Sequence, residues 1–121
     1  MKRLLISLFA FLTLPNAVIS THLYNQKELI VTSESTKESI DLAKYLNDIG
    51  VGKYSAYWCP NCLNQSELFG KQAYRKLNVV ECARDGINSQ TQLSIEKKIK
   101  GFPTWEINGK LILGVLSLKE L

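Results

Sequence analysis

Cys59 and Cys62 stand three positions apart in the run Trp58-Cys59-Pro60-Asn61-Cys62 and carry the clearest chemistry in the chain. Thiols at that spacing on a helix share one face, so the pair can close and open a disulfide, form an inert bridge, or supply half of a zinc tetrahedron. No second CxxC follows, and the one histidine, His22, is far from every cysteine in sequence, which disfavours a metal and leaves thiol chemistry. Cys59 falls where an aromatic run meets a helix, at the cap position whose free backbone N–H groups and helix dipole favour a thiolate. It reads as the nucleophile. Pro60 suits the first helical position, where a missing N–H has no helical partner to lose. Cys62, one turn inward and shielded, reads as the thiol that resolves a mixed disulfide.

A second motif lies about forty residues on, Gly101-Phe102-Pro103-Thr104-Trp105. A proline that opens a strand cannot join the ladder through an N–H. A cis Phe102–Pro103 bond turned toward the CxxC gives it a purpose, with Phe102 and Pro103 offering backbone to an incoming peptide. The plain alternative is a trans proline ending a loop. Trp58 reads either as a rim residue that meets substrates or as a packing aromatic, and Tyr54 and Tyr57 as core.

The elements that must position these residues follow from periodicity. Ser35 and Glu38 fit a capping box, and Ile40, Ala43, Leu46 and Ile49 form an apolar stripe ending at Gly50, which predicts a first helix. Lys53–Trp58 reads as a buried strand. A second helix follows with Cys62, Ser66, Phe69, Ala73 and Leu77 on its inner face and a kink at Gly70. Val79–Cys82 is a short strand. Ser89 and Gln92 suggest another capping box, with Ile95 and Ile99 as the inner stripe of a third helix closed by Gly101. Asn108-Gly109 between Thr104–Ile107 and Lys110–Leu113 predicts a tight hairpin. Helix crossovers with a terminal hairpin imply a mixed sheet with helices on both faces. After Leu113 only a possible helix start at Ser117 remains before the chain ends at Leu121, so part of the sheet is expected to stay exposed or to be covered by a partner.

The whole chain has 121 residues, 45% of them apolar and 21% charged, which fits one packed domain and excludes a disordered or disulfide-framework protein. Lys2 and Arg3 precede the apolar stretch Leu4–Leu14 and the breaker Pro15-Asn16, the pattern of a secretion signal or an N-terminal anchor over residues 1–20, with cleavage before Thr21. Removing that segment takes Lys2 and Arg3 with it and lowers the formal net charge from +4 to +2, so the basic balance is no argument for nucleic acid. The cluster Lys97, Lys98 and Lys100 reads as a solvated helix face. Residues 21–34 read as a tether and 35–121 as the domain. Export would place the thiols in oxidising conditions, in the periplasm or the thylakoid lumen.

From Tyr54-Ser55-Ala56-Tyr57-Trp58-Cys59-Pro60-Asn61-Cys62 through Glu67–Lys71 and Val80-Glu81-Cys82 to Gly101–Lys110, residues 35–121 resemble the thioredoxin-like domain fused to vitamin K epoxide reductase homologues of cyanobacteria and plastids. The resemblance implies a thioredoxin-like α/β fold, with Cys59 and Cys62 as the redox pair and Pro103 as a cis proline. It also implies cysteine-containing protein substrates, electron transfer toward a quinone-linked membrane partner, and no cofactor. The membrane domain is not in this chain, so the acceptor would be a separate protein. Asn61 stands where these relatives usually have His. Ser94 stands where they carry a cysteine that pairs with the one matching Cys82, which leaves Cys82 a free thiol, and the final helix is cut short. Lys53 occupies the position where thioredoxins often place a carboxylate, so Glu81 becomes a candidate proton acceptor for Cys62, against a plainer reading as a partly exposed or capping carboxylate. Two rival functions remain: a reductant of extracytoplasmic proteins, and a non-catalytic binding or assembly module in which the disulfide only staples a helix.

Overall fold

The computed structural model describes residues 27–121. The signal or anchor at 1–20 and the first part of the segment read as a tether lie outside them. Among the described residues the order is α1 (Lys37–Asp48), β1 (Gly52–Ser55), α2 (Pro60–Phe69), α3 (Lys71–Tyr74), β2 (Asn78–Glu81), α4 (Thr91–Glu96), β3 (Thr104–Ile107) and β4 (Lys110–Leu113). The strands form one sheet in the order β2-β1-β3-β4, with β1 parallel to β2 and antiparallel to β3, and β3 antiparallel to β4. This mixed sheet with flanking helices is the thioredoxin-like α/β arrangement expected from the sequence.

All four residues of β1 are buried because both sheet faces are covered. Lys53 aligns with Val79 and Trp105, and Trp105 packs with Ala43, Leu46, Val51, Phe69 and Ala73 on the side of α1, α2 and α3. Tyr54 aligns with Val80 and Thr104 and faces the other way, where Val80, Cys82, Leu93 and Ile99 form a smaller cluster beneath α4. The hairpin lies where Asn108-Gly109 requires it, with φ of 51° and 76° at the two turn residues.

Several local expectations are corrected. The α1 cap is Thr36, whose hydroxyl accepts the Ser39 N–H at 3.0 Å. Ser35 instead turns toward α3, where its hydroxyl accepts the Ala73 N–H at 2.9 Å. Ile49 is the exposed C-cap, and Ser39 takes a place on the inner face by donating to the Phe69 carbonyl at 2.8 Å. Gly70 does not kink one helix but divides two. Its φ is +84°, and a Cβ there would lie 2.5 Å from the Ser35 backbone nitrogen, so both conformation and space demand glycine.

α4, the helix expected to run on toward Ile99, stops at Glu96, because Lys98 adopts a left-handed φ of 57° that a continuing helix would not allow. Ile95 is therefore 53% exposed, Ser94 faces inward, and no side chain caps the start; Ser89 instead shares a hydrogen bond with Thr91. Lys97, Lys98 and Lys100 are exposed in the turn after that helix.

Residues 27–34 are not a free tether. Leu29 is buried beside Ala56, Cys59, Cys62 and Ala83, and Glu67 accepts the Thr32 and Ser33 N–H groups at 2.8 Å each. The Ser33 side chain first, and those backbone bonds with it, hold the Glu67 carboxyl down at about 2.

After β4 the chain forms a single turn at Ser117–Glu120 and no helix, yet Leu116, Leu118 and Leu121 pack on the main cluster. β4 itself keeps Leu111, Ile112 and Leu113 exposed.

Gln65, buried on α2, anchors this last segment. Its Oε1 accepts the Trp105 indole N–H at 3.1 Å and the Leu116 N–H at 2.7 Å, while its Nε2 donates to the Leu116 carbonyl at 2.9 Å. Gln65→Leu keeps the volume but strands a buried indole N–H, so urea unfolding should show a loss of about 2 kcal/mol. An unchanged midpoint would mean that Trp105 finds another acceptor.

Candidate active site

The aromatic run before the cysteines is strand only as far as Ser55. Ala56-Tyr57-Trp58 then form a turn closed by the Cys59 N–H on the Ala56 carbonyl at 3.0 Å. Glu81 braces that turn, its Oε1 accepting the Ala83 N–H at 2.9 Å and the Tyr57 N–H at 3.3 Å. Partial burial raises the Glu81 carboxyl, and these two bonds pull it back down. Its geometry is that of a capping carboxylate; it makes no hydrogen bond to Cys62. Tyr54 is core, whereas Tyr57 is half-buried with its hydroxyl on Asp85 at 3.1 Å.

The turn delivers Cys59 to the N-cap of α2, with Pro60 at the first helical position. Cys59 Sγ accepts the Cys62 N–H at 3.2 Å, which is the bond a helix cap makes and one that strengthens if the sulfur is a thiolate. On its other side, the thiol points at the Phe102 carbonyl, 3.6 Å away. The Phe102–Pro103 peptide bond is cis. Pro103 is fully buried and its carbonyl already accepts the Gly114 N–H at 2.9 Å, so of the two residues only Phe102 has backbone left to offer. Trp58 is 60% exposed and meets the Phe102 ring edge-on, centroids 6.2 Å apart. Asn61 is exposed in the first turn of α2.

The two thiols are reduced and differ in access. Cys59 is 7% accessible, more covered than a helix start suggests, and Cys62 is 0%. Burial pushes the Cys62 thiol up to about 11, and Cys59 beside it acts in the same direction. The buried Ser55 hydroxyl, which has no hydrogen-bond partner among the described residues, opposes that shift. Cys82 is buried on the opposite sheet face, its thiol 3.4 Å from the Val80 carbonyl and its ionisation disfavoured by burial, against which the neighbouring Ser94 hydroxyl acts. Among the described residues no cluster of His, Cys, Asp and Glu side chains is gathered where a metal ion could sit.

Two buried residues beside the site went unassigned in the sequence. Lys53 lies inside β1 with its Nζ on the Ser66 hydroxyl and the Cys62 carbonyl, and Ser66 had counted only as a spacer in an apolar stripe. The available signal was a charged residue within a run read as buried on both faces.

Fold and site together define a thioredoxin-like domain whose second helix starts on a redox-type cysteine pair. The chain is 45% identical over 94 residues to the thiol-disulfide oxidoreductase LTO1 of Arabidopsis thaliana, an alignment covering 75% of this chain and 25% of that protein. The chain therefore spans about a quarter of the length of this relative. No family model matches the chain.

The geometry leaves Cys82 without a thiol partner inside the fold. Alkylation of the denatured protein should add one label after oxidation and three after full reduction, counted by intact mass. No label on an oxidised monomer would contradict this, and an oxidised disulfide-linked dimer would mean that Cys82 pairs between chains.

Proposed function

We propose that this protein is an extracytoplasmic thiol-disulfide oxidoreductase that exchanges disulfides with cysteine-containing proteins through Cys59 and Cys62. The observation that carries this reading is the Cys59 sulfur at the α2 cap, held by the Cys62 N–H and facing the Phe102 carbonyl, with Cys62 buried one turn behind. Thiol-disulfide exchange requires an outer sulfur that meets the partner and a resolving sulfur close behind it, and Cys59, the less covered of the two, and Cys62 take those places.

In the oxidising direction a substrate thiolate attacks Cys59 Sγ of the disulfide form, the Cys59–Cys62 bond breaks, and Cys62 leaves with the electron pair. A second substrate thiolate then displaces Cys59, so the substrate gains a disulfide and the pair returns to the dithiol. Trp58 and the Phe102 backbone form the rim against which a peptide segment docks. The basic start and apolar stretch Leu4–Leu14 support export, and a quinone-linked membrane protein is the acceptor that would reoxidise the pair. Among the described residues no helix is long and apolar enough to cross a membrane.

Titration against glutathione buffers tests the reading and its direction. A potential near the oxidising end of the roughly −270 to −120 mV span of such proteins supports disulfide formation, and one near the reducing end supports a reductant. A bridge that cannot be titrated would leave a binding module.

Two variants sharpen the roles. Cys62→Ala should trap mixed disulfides through Cys59, seen as reducible high-mass adducts with extracytoplasmic proteins. Trapping that instead requires removal of Cys59 would reverse the assignment. Asn61→His should raise the reduction potential by some tens of millivolts, because a cation beside the α2 start stabilises the reduced thiolate by about the strength of one charge-assisted contact. An unchanged or lower potential would show that backbone and helix effects alone set the poise.

A further inference from the structure

Among the described residues Lys53 is the one cation whose side chain is wholly enclosed, at 0% accessibility. It extends from the central strand toward α2, where Nζ donates to the Ser66 hydroxyl at 2.5 Å and to the Cys62 carbonyl at 3.3 Å. Ser66 in turn donates to the same Cys62 carbonyl at 2.8 Å. The amine thus lies under the first turn of α2, against the residue that must resolve the mixed disulfide. No carboxylate pairs with it among the described residues, whose four ion pairs involve other lysines. An enclosed ammonium without a counter-charge is costly, and a structural role on a strand would be filled as well by an apolar side chain.

We propose that Lys53 is the proton donor and acceptor for Cys62 during disulfide exchange. This rests on the exchange reading above and adds to it the group that moves the proton. The titratable groups facing the amine are Cys62 and Cys59 at the start of α2, Glu81 from β2, and the ring of Tyr74 from α3, 5.5 Å from Nζ. Burial brings the ammonium down to about 8, and the attraction of Cys62, Cys59 and Glu81 limits the fall. The group therefore changes charge within reach of neutral pH, as a proton carrier must. Glu81, the alternative acceptor, holds the N–H groups of Ala83 and Tyr57 instead.

The step balances without another reagent. In the mixed disulfide between Cys59 and a substrate, the neutral amine takes the Cys62 proton. The Cys62 thiolate attacks Cys59 Sγ, the Cys59–Cys62 bond forms, and the bond from Cys59 to the substrate breaks, its electron pair leaving on the substrate sulfur. Two electrons pass from the cysteine pair to the substrate, and Lys53 keeps the proton. In the reverse direction Cys62 departs with the electron pair and receives the proton from the Lys53 ammonium.

The test uses the reduced full chain carrying Cys82→Ser, mixed with one equivalent of the chromogenic disulfide dithiobis(nitrobenzoate) in a stopped-flow instrument. Attack by Cys59 releases the first thionitrobenzoate, and attack by Cys62 releases the second. The rate of the second phase should bend near pH 8 in the parent, following Lys53. In Lys53→Met the bend should vanish and the rate at pH 8 fall at least about tenfold, while the first phase changes less. A profile superimposable on the parent's would overturn the proposal. Should Lys53→Met fail to fold, Ser66→Ala carries the test. It removes an acceptor from the ammonium, so the bend should move to lower pH, and an unmoved bend would overturn the proposal. Absence of a second phase in the parent itself is a separate result: it would sink the exchange reading, and the role of Lys53 with it.

Discussion

Helix α2 buries Cys62, Gln65, Ser66 and Phe69 against the sheet, and only one of those four side chains is a plain hydrocarbon. A face of that composition can be buried only where each polar atom meets a partner, since an unpaired buried group costs roughly 1–3 kcal/mol. The partners come from the rest of the fold. Trp105 on β3 and the Leu116 backbone take both ends of the Gln65 amide, and Lys53 on β1 bonds Ser66. Ser39 on α1 bonds the Phe69 carbonyl at the far end of α2. These bonds are directional where hydrocarbon packing is not, so they fix the rotation and height of α2 over β1 and β3. The position of Cys59 at its first turn follows from that seating.

The same seating separates two chemically identical thiols. Cys59 caps the helix, borders the surface, and receives a backbone N–H at its sulfur. Cys62, one turn lower, is closed off from water and is pushed up to about 11 by that enclosure. In the proposed exchange this asymmetry sets an order: the outer sulfur would meet the partner, and the inner one would stay protonated until a mixed disulfide forms. The Ser55 hydroxyl and the Ala56 backbone beside Cys62 favour its thiolate, so the pocket that suppresses ionisation also contains the groups that ease it.

How much of this could be read from the sequence depended on whether a residue's partner is local. The Cys59-Pro60 start of α2 and the Asn108-Gly109 hairpin are decided within a few residues by capping and turn chemistry, and both lie where the pattern placed them. The alternation of helices and strands was legible for the same reason. The misreadings needed distant information. Thr36 and Ser35 are equally good caps locally, and Ser35 is drawn away by Ala73 and the close approach of Gly70. Leu29 and Glu67 turn an unpatterned segment into part of the domain through contacts distant in sequence. Ile95 and Ile99 have helical spacing, but the left-handed turn at Lys98 breaks the period before it can act. Gln65, Ser66 and Lys53 were invisible as a group, because each is an ordinary polar residue until the fold brings it opposite another.

Lys53 also shows how the site draws on stability. Its ammonium falls from 10.5 to about 8 in the fold, with burial as the main cause, which corresponds to a cost of roughly 3 kcal/mol while it is charged. Because the folded value lies below the unfolded one, the folded state holds fewer protons between about 8 and 10.5, and the cost is relieved as pH rises through that window. At neutral pH, below that window, the folded protein carries the cost of the charged amine. The attraction of Cys62, Cys59 and Glu81 offsets part of it. The polar inner face of α2, the enclosed amine and the suppressed ionisation of Cys62 are thus one arrangement, in which the fold gives up part of its stability to keep a charge enclosed beside the inner thiol.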